Sequence, residues 1–271
     1  MKIAFDFGIT NTDIACDLDG EISYFSFPSE DVNFYFIEKL LKLLNLDINT
    51  IRAIAVTGGK SSDLADSYKD IPIVKINEIK AIGYGAKELY KITDSSFIVV
   101  SCGTGTACVA HMNNEFEHLG GISVGGGTLQ GLSNILTGIS DPIKIDELAL
   151  QGSKSNLDAL IGEVVNDIGS LHADVTASNF SKGRFNTNFK DADVESSLSN
   201  MIGEVIGTIS YLNALLVGVK KIYFIGKVSL LDSVKDGIDK RLELANIEGK
   251  YNDLRGFGNV IGAIAYLNAN T

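Results

Sequence analysis

The stretch FDFGITNTD, residues 5–13, places an acid, a glycine and a threonine (Asp6, Gly8 and Thr10) directly after an apolar, strand-like run. One interpretation is a tight hairpin turn, because Asp, Gly, Asn and Thr are common turn residues. The other is a loop whose backbone N–H groups face phosphate while the carboxylate holds a hydrated metal ion. Taken alone, these nine residues favour the turn, because turn chemistry is so common.

Further glycine-containing loops follow apolar runs at 57–59, 103–106, 125–127 and 226. None completes a standard nucleotide motif. TGGKSS has Ile54 where a Walker loop needs its first glycine, and a dinucleotide fingerprint fails at Cys108 and at Gln130. Glycine allows positive φ and close backbone approach to a ligand, so the set of loops together favours a ligand-binding cleft. For Gly226 alone we favour a structural corner.

The composition restricts the classes of partner. The 271 residues carry a formal net charge of −11 and are 45% hydrophobic. This acidic balance argues against non-specific binding to nucleic acid or to an anionic membrane. No signal peptide is visible, and no apolar run reaches the roughly 18 residues of a membrane span. The three cysteines, Cys16, Cys102 and Cys108, lack metal-ligand spacing, so we expect reduced core residues in a cytoplasmic protein.

The order of elements at the start of the chain returns near residue 97. Residues 2–27 and 97–121 each predict a strand, a Gly/Thr loop, a second strand and a tight turn. Strands then alternate with helical periodicity, including a long helix from about Glu195 to Val217. We therefore predict an α/β protein of two duplicated lobes, with helices packed on mixed sheets and a division between 1–93 and 94–271. We also expect a second hinge near the C-terminus, because the last helix often packs back on such lobes.

Eight further segments, together with the D-x-G-x-T loop at 6–10, carry a resemblance to a known family. They are TGG (57–59), NEIKAIGYG (77–85), GTGTA (103–107), GGISVGGGTLQGL (120–132), DVTASNF (174–180), IGEVIGTI (202–209), IYFIG (222–226) and GFGNVIGAIAYL (256–267). In this order they make the chain resemble the type II pantothenate kinases, the fumble-like group of the acetate/sugar kinase and actin-like ATPase superfamily. The resemblance covers nearly the whole chain.

The resemblance implies a duplicated ribonuclease H-like fold of the actin and sugar-kinase type, with a nucleotide cleft between two lobes. It also implies ATP and Mg²⁺ as cofactors, pantothenate or a similar small molecule as substrate, a homodimer and an acyl-CoA effector. Asp6 would hold Mg²⁺ through water. Nucleotide contacts are implied for Asp6, Gly8, Thr10, Asn11, Gly103, Thr104, Gly105, Thr106, Gly125, Gly126, Gly127 and Gln130. Substrate contacts are implied for His118, Gly120, Gly121, Asp174 and Ser178.

Glu78 is the candidate catalytic base. It starts a predicted helix with Asn77 as its cap, so by itself it is typical of an acid stabilised by the helix dipole. The resemblance places it at the family's catalytic glutamate, where a carboxylate accepts the proton of the attacking hydroxyl. The run 125–127 opens a predicted helix at Thr128, whose N–H groups could receive phosphate.

Four positions depart from the family's pattern. Ile9 and Asp13 replace a glycine and a lysine of the first loop, His118 replaces an arginine, and Lys80 stands where aspartate is usual. An acid does not attract phosphate, and histidine lacks the five-donor fork of arginine. Lys60 or Lys80 could supply the missing positive charge.

Three functions therefore stay open. The first is ATP-dependent phosphorylation of pantothenate to 4′-phosphopantothenate, the first step of coenzyme A synthesis. The second is a kinase of the same fold for another small hydroxylated metabolite. The third is a regulator that binds nucleotide or acyl-CoA without turnover. The substitutions at positions 13 and 118 are what favour the second and third.

Overall fold

The first lobe is a six-stranded sheet with helices on both faces. The computed structural model describes residues 1–166, 172–186 and 188–270. Within the first lobe the elements are β1 (Lys2–Phe7), β2 (Asn11–Leu18), β3 (Glu21–Pro28), α1 (Phe34–Leu43), β4 (Ala53–Thr57), β5 (Ser67–Tyr68), β6 (Ile71–Lys75) and α2 (Glu78–Tyr90). The strand order is β3-β2-β1-β4-β6-β5, and β1, β4 and β6 run parallel. Because parallel strands end at one edge of a sheet, the loops after β1, β4 and β6 meet there.

The second lobe repeats this arrangement. Its elements are β7 (Phe97–Cys102), β8 (Thr106–Met112), β9 (Glu115–Ile122), α3 (Gly126–Thr137), α4 (Pro142–Ala149), β10 (Ala159–Leu160), α5 (Ile161–Val164), β11 (Thr176–Ser178), α6 (Asp191–Val217), β12 (Lys221–Ile225), α7 (Asp232–Glu243), β13 (Glu248–Tyr251) and α8 (Gly258–Asn270). The main sheet has the order β13-β12-β7-β8-β9, while β10 and β11 form a separate pair. A meander of three antiparallel strands followed by parallel additions is thus common to both lobes. The predicted duplication is confirmed.

Both predicted hairpin turns are present. Asp19 and Gly20 have φ values of 53° and 98°, and Asn113 and Asn114 have φ values of 52° and 67°. Two consecutive residues with positive φ give a turn whose twist matches that of the flanking strands. Asn, Asp and Gly tolerate this left-handed conformation, which explains why the turns could be located in the sequence.

The helix α6 is longer than predicted. It begins at Asp191 rather than near Glu195 and ends at Val217 as expected. Among the described residues it is the one helix long and apolar enough to cross a membrane by length and composition, and half of its most apolar window is buried inside the protein. Core helices of globular proteins pass the same test, so this helix by itself says little about a membrane.

The helix α8 packs on the first sheet although it follows the second lobe in the chain. Val260, Ala263, Ile264 and Leu267 of α8 form one buried cluster with small residues of the first sheet, which are Ala4, Ala15, Ala53 and Ala55. It also lies against α2, the helix that begins with Glu78. The predicted division at residue 93 stays a prediction, and it assigns α8 to the lobe on which α8 does not pack.

Two glycines set the distance between α2 and α8. A Cβ at Gly262 would lie 1.8 Å from the Ala81 carbonyl oxygen, and one at Gly85 would lie 1.9 Å from the Gly258 carbonyl oxygen. Real atoms do not approach so closely, so any side chain here would push the helices apart. The two backbones therefore meet directly, and this contact fixes where α2 and its first residue lie.

We expect Gly262→Ala to destabilise the protein by about 1–3 kcal/mol, the usual cost of overpacking a close contact. Gly131→Ala is the matched control, because Gly131 lies in α3 with open space around its Cβ position. That substitution should stabilise by about 0.5–1 kcal/mol, the intrinsic preference of a helix for Ala over Gly. Urea unfolding measures both. Equal effects of the two substitutions would contradict the packing argument.

Candidate active site

A cleft of about 740 Å³ lies between the two lobes, at the strand ends where their loops meet. Most of the predicted site residues line it, namely Asp6, Gly8, Thr10, Asn11, Glu78, Gly103, Thr104, Gly105, Thr106, His118, Gly121, Gly126 and Gln130. Gly58 and Gly59 of the predicted loop at 57–59 line it as well. The structure therefore gathers residues from widely separated segments of the sequence at one place.

The first loop is the tight turn that its residues favour, and it also lies on the wall of the cleft. It is a tight turn joining the antiparallel strands β1 and β2, in which the Gly8 N–H donates to the Asn11 carbonyl oxygen at 3.0 Å. It also faces the cleft. A Cβ at Gly8 would lie 2.6 Å from that same oxygen, so the turn needs glycine there. In this structure the Gly8 N–H is used within the loop, and the phosphate contact inferred for it stays a prediction.

The glycine run 125–127 supports the second loop. Helix α3 begins at Gly126, two residues before the predicted Thr128, with Gly125 as its N-cap. The N–H groups of Gly126 and Gly127 donate to the carbonyl oxygens of Gly103 and Thr104 at 2.9 and 3.0 Å. A Cβ at Gly125 would lie 2.8 Å from the Thr104 oxygen, so glycine is required for this close approach. Gly126 lines the cleft, Gly125 and Gly127 are not among the lining residues, and the nucleotide contacts of all three stay predictions.

The two lobes touch each other across the cleft. The Thr10 and Thr104 hydroxyls, one from each Gly/Thr loop, lie 3.2 Å apart. The Lys227 ammonium, which follows β12 in the second lobe, lies 2.7 Å from a carboxylate oxygen of Asp13 on β2. The structure therefore holds the loops together at the distance of direct hydrogen bonds.

The carboxyl groups of Asp6, Asp13 and Glu78 lie on the first-lobe side of the cleft. Asp6 is almost fully buried, and burial raises the pKa of its carboxyl to about 8, with further increases from Asp13 and Glu78. A hydrogen bond with Asn259 and the charge of Lys227 act in the opposite direction on the same pKa. Burial and two like charges outweigh one amide and one cation, so the Asp6 carboxyl carries a proton at neutral pH in the ligand-free protein.

The raised pKa of Asp6 predicts how the stability of the protein depends on pH. Between about pH 4 and about pH 8 the unfolded chain has lost the Asp6 proton while the folded protein keeps it, so the free energy of unfolding falls as the pH rises. Asp6→Asn has no proton to lose. We expect the stability gained by this substitution to grow with pH across that range. Thermal unfolding of both proteins in metal-free buffer measures the gain, and a gain that is the same at every pH would contradict the pKa assignment.

Glu78 has the structural role that the sequence suggested and also faces the cleft. It is the first residue of α2, and its neighbour Asn77 caps the helix by accepting the Ile79 N–H at 2.9 Å. The Glu78 side chain is exposed and lies on the cleft lining. A carboxylate there is open to a substrate hydroxyl. Its role as a base stays a prediction.

The residues expected to bind substrate are divided between two places. His118 and Gly121 line the cleft, and Gly120 lies between them in the sequence on β9. Asp174 and Ser178 do not line it. Asp174 lies 3.6 Å from Lys240 of α7, and Ser178 pairs with Ala159 in the small sheet of β10 and β11. The substrate contacts of all five residues stay predictions.

Two polar cleft residues that act on Asp6, Asn259 and Lys227, were among those not predicted from the sequence. Asn259 reaches Asp6 because α8 returns to the first lobe, as expected for the last helix, but the contact itself was not predicted. Lys227 follows Gly226, which was interpreted only as a corner. That interpretation fits, since Gly226 has a φ of +90° and a Cβ there would lie 2.4 Å from the Cys102 carbonyl oxygen. Lys60 and Lys80, the cations suggested from the sequence, are not among the lining residues.

Comparison with known proteins shows the family of the chain. The sequence profile of the Fumble family matches residues 9–231. The chain belongs to the Fumble family. It is 31% identical over 236 residues to a type II pantothenate kinase of Bacillus cereus strain AH820, covering 80% of this chain and 81% of that protein. It is 32% identical over 237 residues to the type II pantothenate kinase of Bacillus anthracis, with the same coverage of each.

Solved structures support the predicted fold class. An activator of 2-hydroxyisocaproyl-CoA dehydratase from Clostridium difficile, solved with bound ADPNP, superposes with a TM-score of 0.70 at 15% identity and covers 99% of this chain and 94% of its own. A ROK family glucokinase from Streptomyces griseus, in complex with glucose and AMPPNP, gives a TM-score of 0.57 at 15% identity, with coverage of 100% and 99%. At such identities the similarity shows the fold alone. The duplicated two-lobed fold is confirmed.

Proposed function

We propose that this protein transfers the γ-phosphoryl group of ATP to the primary hydroxyl of pantothenate, giving 4′-phosphopantothenate and ADP. The observation that carries the proposal is the juxtaposition of Glu78 with both Gly/Thr loops in one cleft of a Fumble-family chain. The type II pantothenate kinases to which the chain is 31–32% identical support this choice of substrate. Fold alone would not, because one fold serves many substrates.

Catalysis of phosphoryl transfer depends more on positioning and charge stabilisation than on covalent participation by the protein. In the proposed reaction the pantothenate hydroxyl oxygen bonds to the γ-phosphorus while the bond from that phosphorus to the bridging oxygen of ADP breaks. Glu78 accepts the hydroxyl proton from its exposed position at the start of α2. The loops at 8–11 and 103–106 face the phosphates from opposite lobes.

The residues present fit a magnesium ion brought in with the nucleotide. No group of three or more His, Cys, Asp or Glu side chains suited to holding a metal occurs in the described ranges. Mg²⁺ in kinases is bound through one or two carboxylates together with water and phosphate oxygens, so a preformed cage is not required. Asp6 would hold it, and the bound ion would neutralise charge on the phosphates. The Asp6 proton would leave as the ion binds.

The proposal includes a homodimer, an acyl-CoA effector and a cytoplasmic location. Leu212, Leu215 and Leu216 on α6 are exposed, which supports a subunit contact along that helix. The three cysteines are buried and unpaired, as suits a reducing compartment. The effector rests on the family resemblance alone.

A panel of small hydroxylated metabolites, incubated with ATP and Mg²⁺ while ADP release is followed, tests the proposal. Phosphorylation of pantothenate in preference to the others is the expected result. A different preferred acceptor would select the second candidate, a kinase for another metabolite, which His118 on the cleft lining favours because its ring replaces the arginine of the family. Nucleotide binding without ADP release for any acceptor would contradict kinase activity.

A further inference from the structure

Polar side chains form a row across three neighbouring strands of the first lobe. In the antiparallel pairing, Asp6 of β1 lies opposite Asp13 of β2, and Asp13 lies opposite Ser26 of β3. Directly paired residues project from the same face of a sheet. This is the face that carries Ala4 and Ala15, on which α8 packs. Two acids and a hydroxyl therefore lie side by side where the first lobe meets the second.

The Lys227 ammonium of the second lobe contacts two residues of this row. Its Nζ lies 2.7 Å from Asp13 Oδ1 and donates to Ser26 Oγ at 2.6 Å. Gly226, with its φ of +90° against the Cys102 backbone, fixes where the chain leaves β12 and therefore where the lysine stem begins. The Lys227 side chain is 35% exposed, whereas that of Asp13 is 10% exposed. The carboxylate is therefore buried in the sheet, whereas the lysine side chain is partly exposed and lies on the cleft lining.

The charge of the cleft favours a role for the Lys227 cation in binding phosphate. In the described part of the chain, Lys227 is the only lysine or arginine among the cleft-lining residues, which also include the acids Asp13 and Glu78 beside the protonated Asp6. A nucleotide triphosphate adds several negative charges to a site that is already acidic. The N–H groups of Gly8, Gly126 and Gly127 donate within the protein, so they offset little of that charge.

We propose that Lys227 binds the terminal phosphates of the nucleotide and that Asp13 is its resting partner, which releases the ammonium when the phosphates enter. The inference rests on the proposed function in taking the ligand to be ATP. It assigns the cation of the site to the second lobe, and it makes Asp13 a competitor of the phosphates. An ammonium is a compact donor on a flexible stem, which suits an exchange between carboxylate and phosphate oxygens.

The alternative is that Lys227 and Asp13 only join the lobes. The two explanations differ in the effect of removing Asp13. If the pair is a bridge, Lys227→Met and Asp13→Asn break the same contact and weaken nucleotide binding alike. If Lys227 binds phosphate, Asp13→Asn frees the ammonium and removes a repulsive charge, so the two substitutions act in opposite directions.

Calorimetric titration with ATP, ADP and AMP separates the two explanations. The titrations contain Mg²⁺ and no acceptor substrate. We expect Lys227→Met to lower the affinity for ATP about tenfold, which corresponds to about 1.4 kcal/mol. ADP should lose a similar factor and AMP little, because AMP lacks the terminal phosphates. Lys227→Arg should recover most of the ATP affinity, and Asp13→Asn should raise it. Lys220→Met is the matched control, since Lys220 is an exposed lysine directly before the first residue of β12 and should leave all three affinities unchanged.

Equal losses for ATP, ADP and AMP, or weaker ATP binding in Asp13→Asn, would overturn the assignment of Lys227 to phosphate. Phosphorylation of pantothenate by the unsubstituted protein, combined with normal ATP affinity in Lys227→Met, would overturn this inference and leave the proposed function standing. Failure to phosphorylate pantothenate, combined with a phosphate-dependent loss of affinity in Lys227→Met, would overturn the proposed function and leave this inference standing. Absence of ATP binding in the unsubstituted protein would overturn both.

Discussion

Replacing Glu78 with glutamine is expected to slow the phosphoryl-transfer step by about 10²–10⁴-fold, the usual contribution of general acid–base catalysis. Gln keeps the shape of the side chain and accepts a hydrogen bond through its amide oxygen, but it is too weakly basic to take a proton at neutral pH. Because Glu78 lies at the start of α2 on the cleft wall and not in either Gly/Thr loop, ATP binding should survive. Single-turnover kinetics with saturating ATP measure the step directly.

The same residue has a purely structural alternative. As a helix-start acid, Glu78 would contribute only about 0.3–1 kcal/mol of stability through the helix dipole, with little effect on rate. Thermal unfolding of the Gln variant measures this contribution to stability separately from the rate. Glu88→Gln is the matched control, since Glu88 is in the last turn of the same helix and its carboxylate pairs with Lys91 outside the cleft. A normal transfer rate in Glu78→Gln would remove this residue from the catalytic list.

The second large effect is expected from Asp6→Asn. Neutralising the carboxylate removes the group proposed to position the metal, so turnover should fall by about 10²-fold or more, as when one charge-stabilising group of a transition state is lost. Nucleotide affinity should fall much less, because the loops from both lobes remain in place. The dependence of turnover on Mg²⁺ concentration should also weaken. Steady-state kinetics across a Mg²⁺ titration measure both quantities.

This substitution separates activity from stability. The raised pKa of Asp6 predicts a metal-free Asn variant that is more stable than the unsubstituted protein at neutral pH, although it is less active. Asp19→Asn serves as the control, because Asp19 lies in the β2–β3 turn at the opposite edge of the sheet and Asn tolerates its positive φ. An Asp6→Asn enzyme with unchanged turnover at every Mg²⁺ concentration would exclude Asp6 from the mechanism.

Local patterns were enough to determine the two lobes and the position of most loops. The turns at 19–20 and 113–114 could be located because only a few residue types adopt positive φ readily. The apolar strands and the repeated order of elements predicted the duplicated sheets, since the period of the hydrophobic pattern reflects which face of a strand or helix is buried. The set of Gly/Thr loops predicted a common cleft, whereas the place of Glu78 in it was predicted only from the family resemblance.

What the sequence alone could not determine are the contacts between distant segments. Lys227 and Asp13 are 214 residues apart in the chain, and neither residue carries a local signal for the other. Asn259 reaches Asp6 only because α8 packs back on the first sheet. The glycines at 125–127 were interpreted as phosphate donors, whereas the folded chain uses two of their N–H groups to hold the loop at 103–106. Periodicity and turn chemistry report on neighbours along the chain, while the charge balance of the cleft depends on how the lobes pack, and only the tertiary structure decides that.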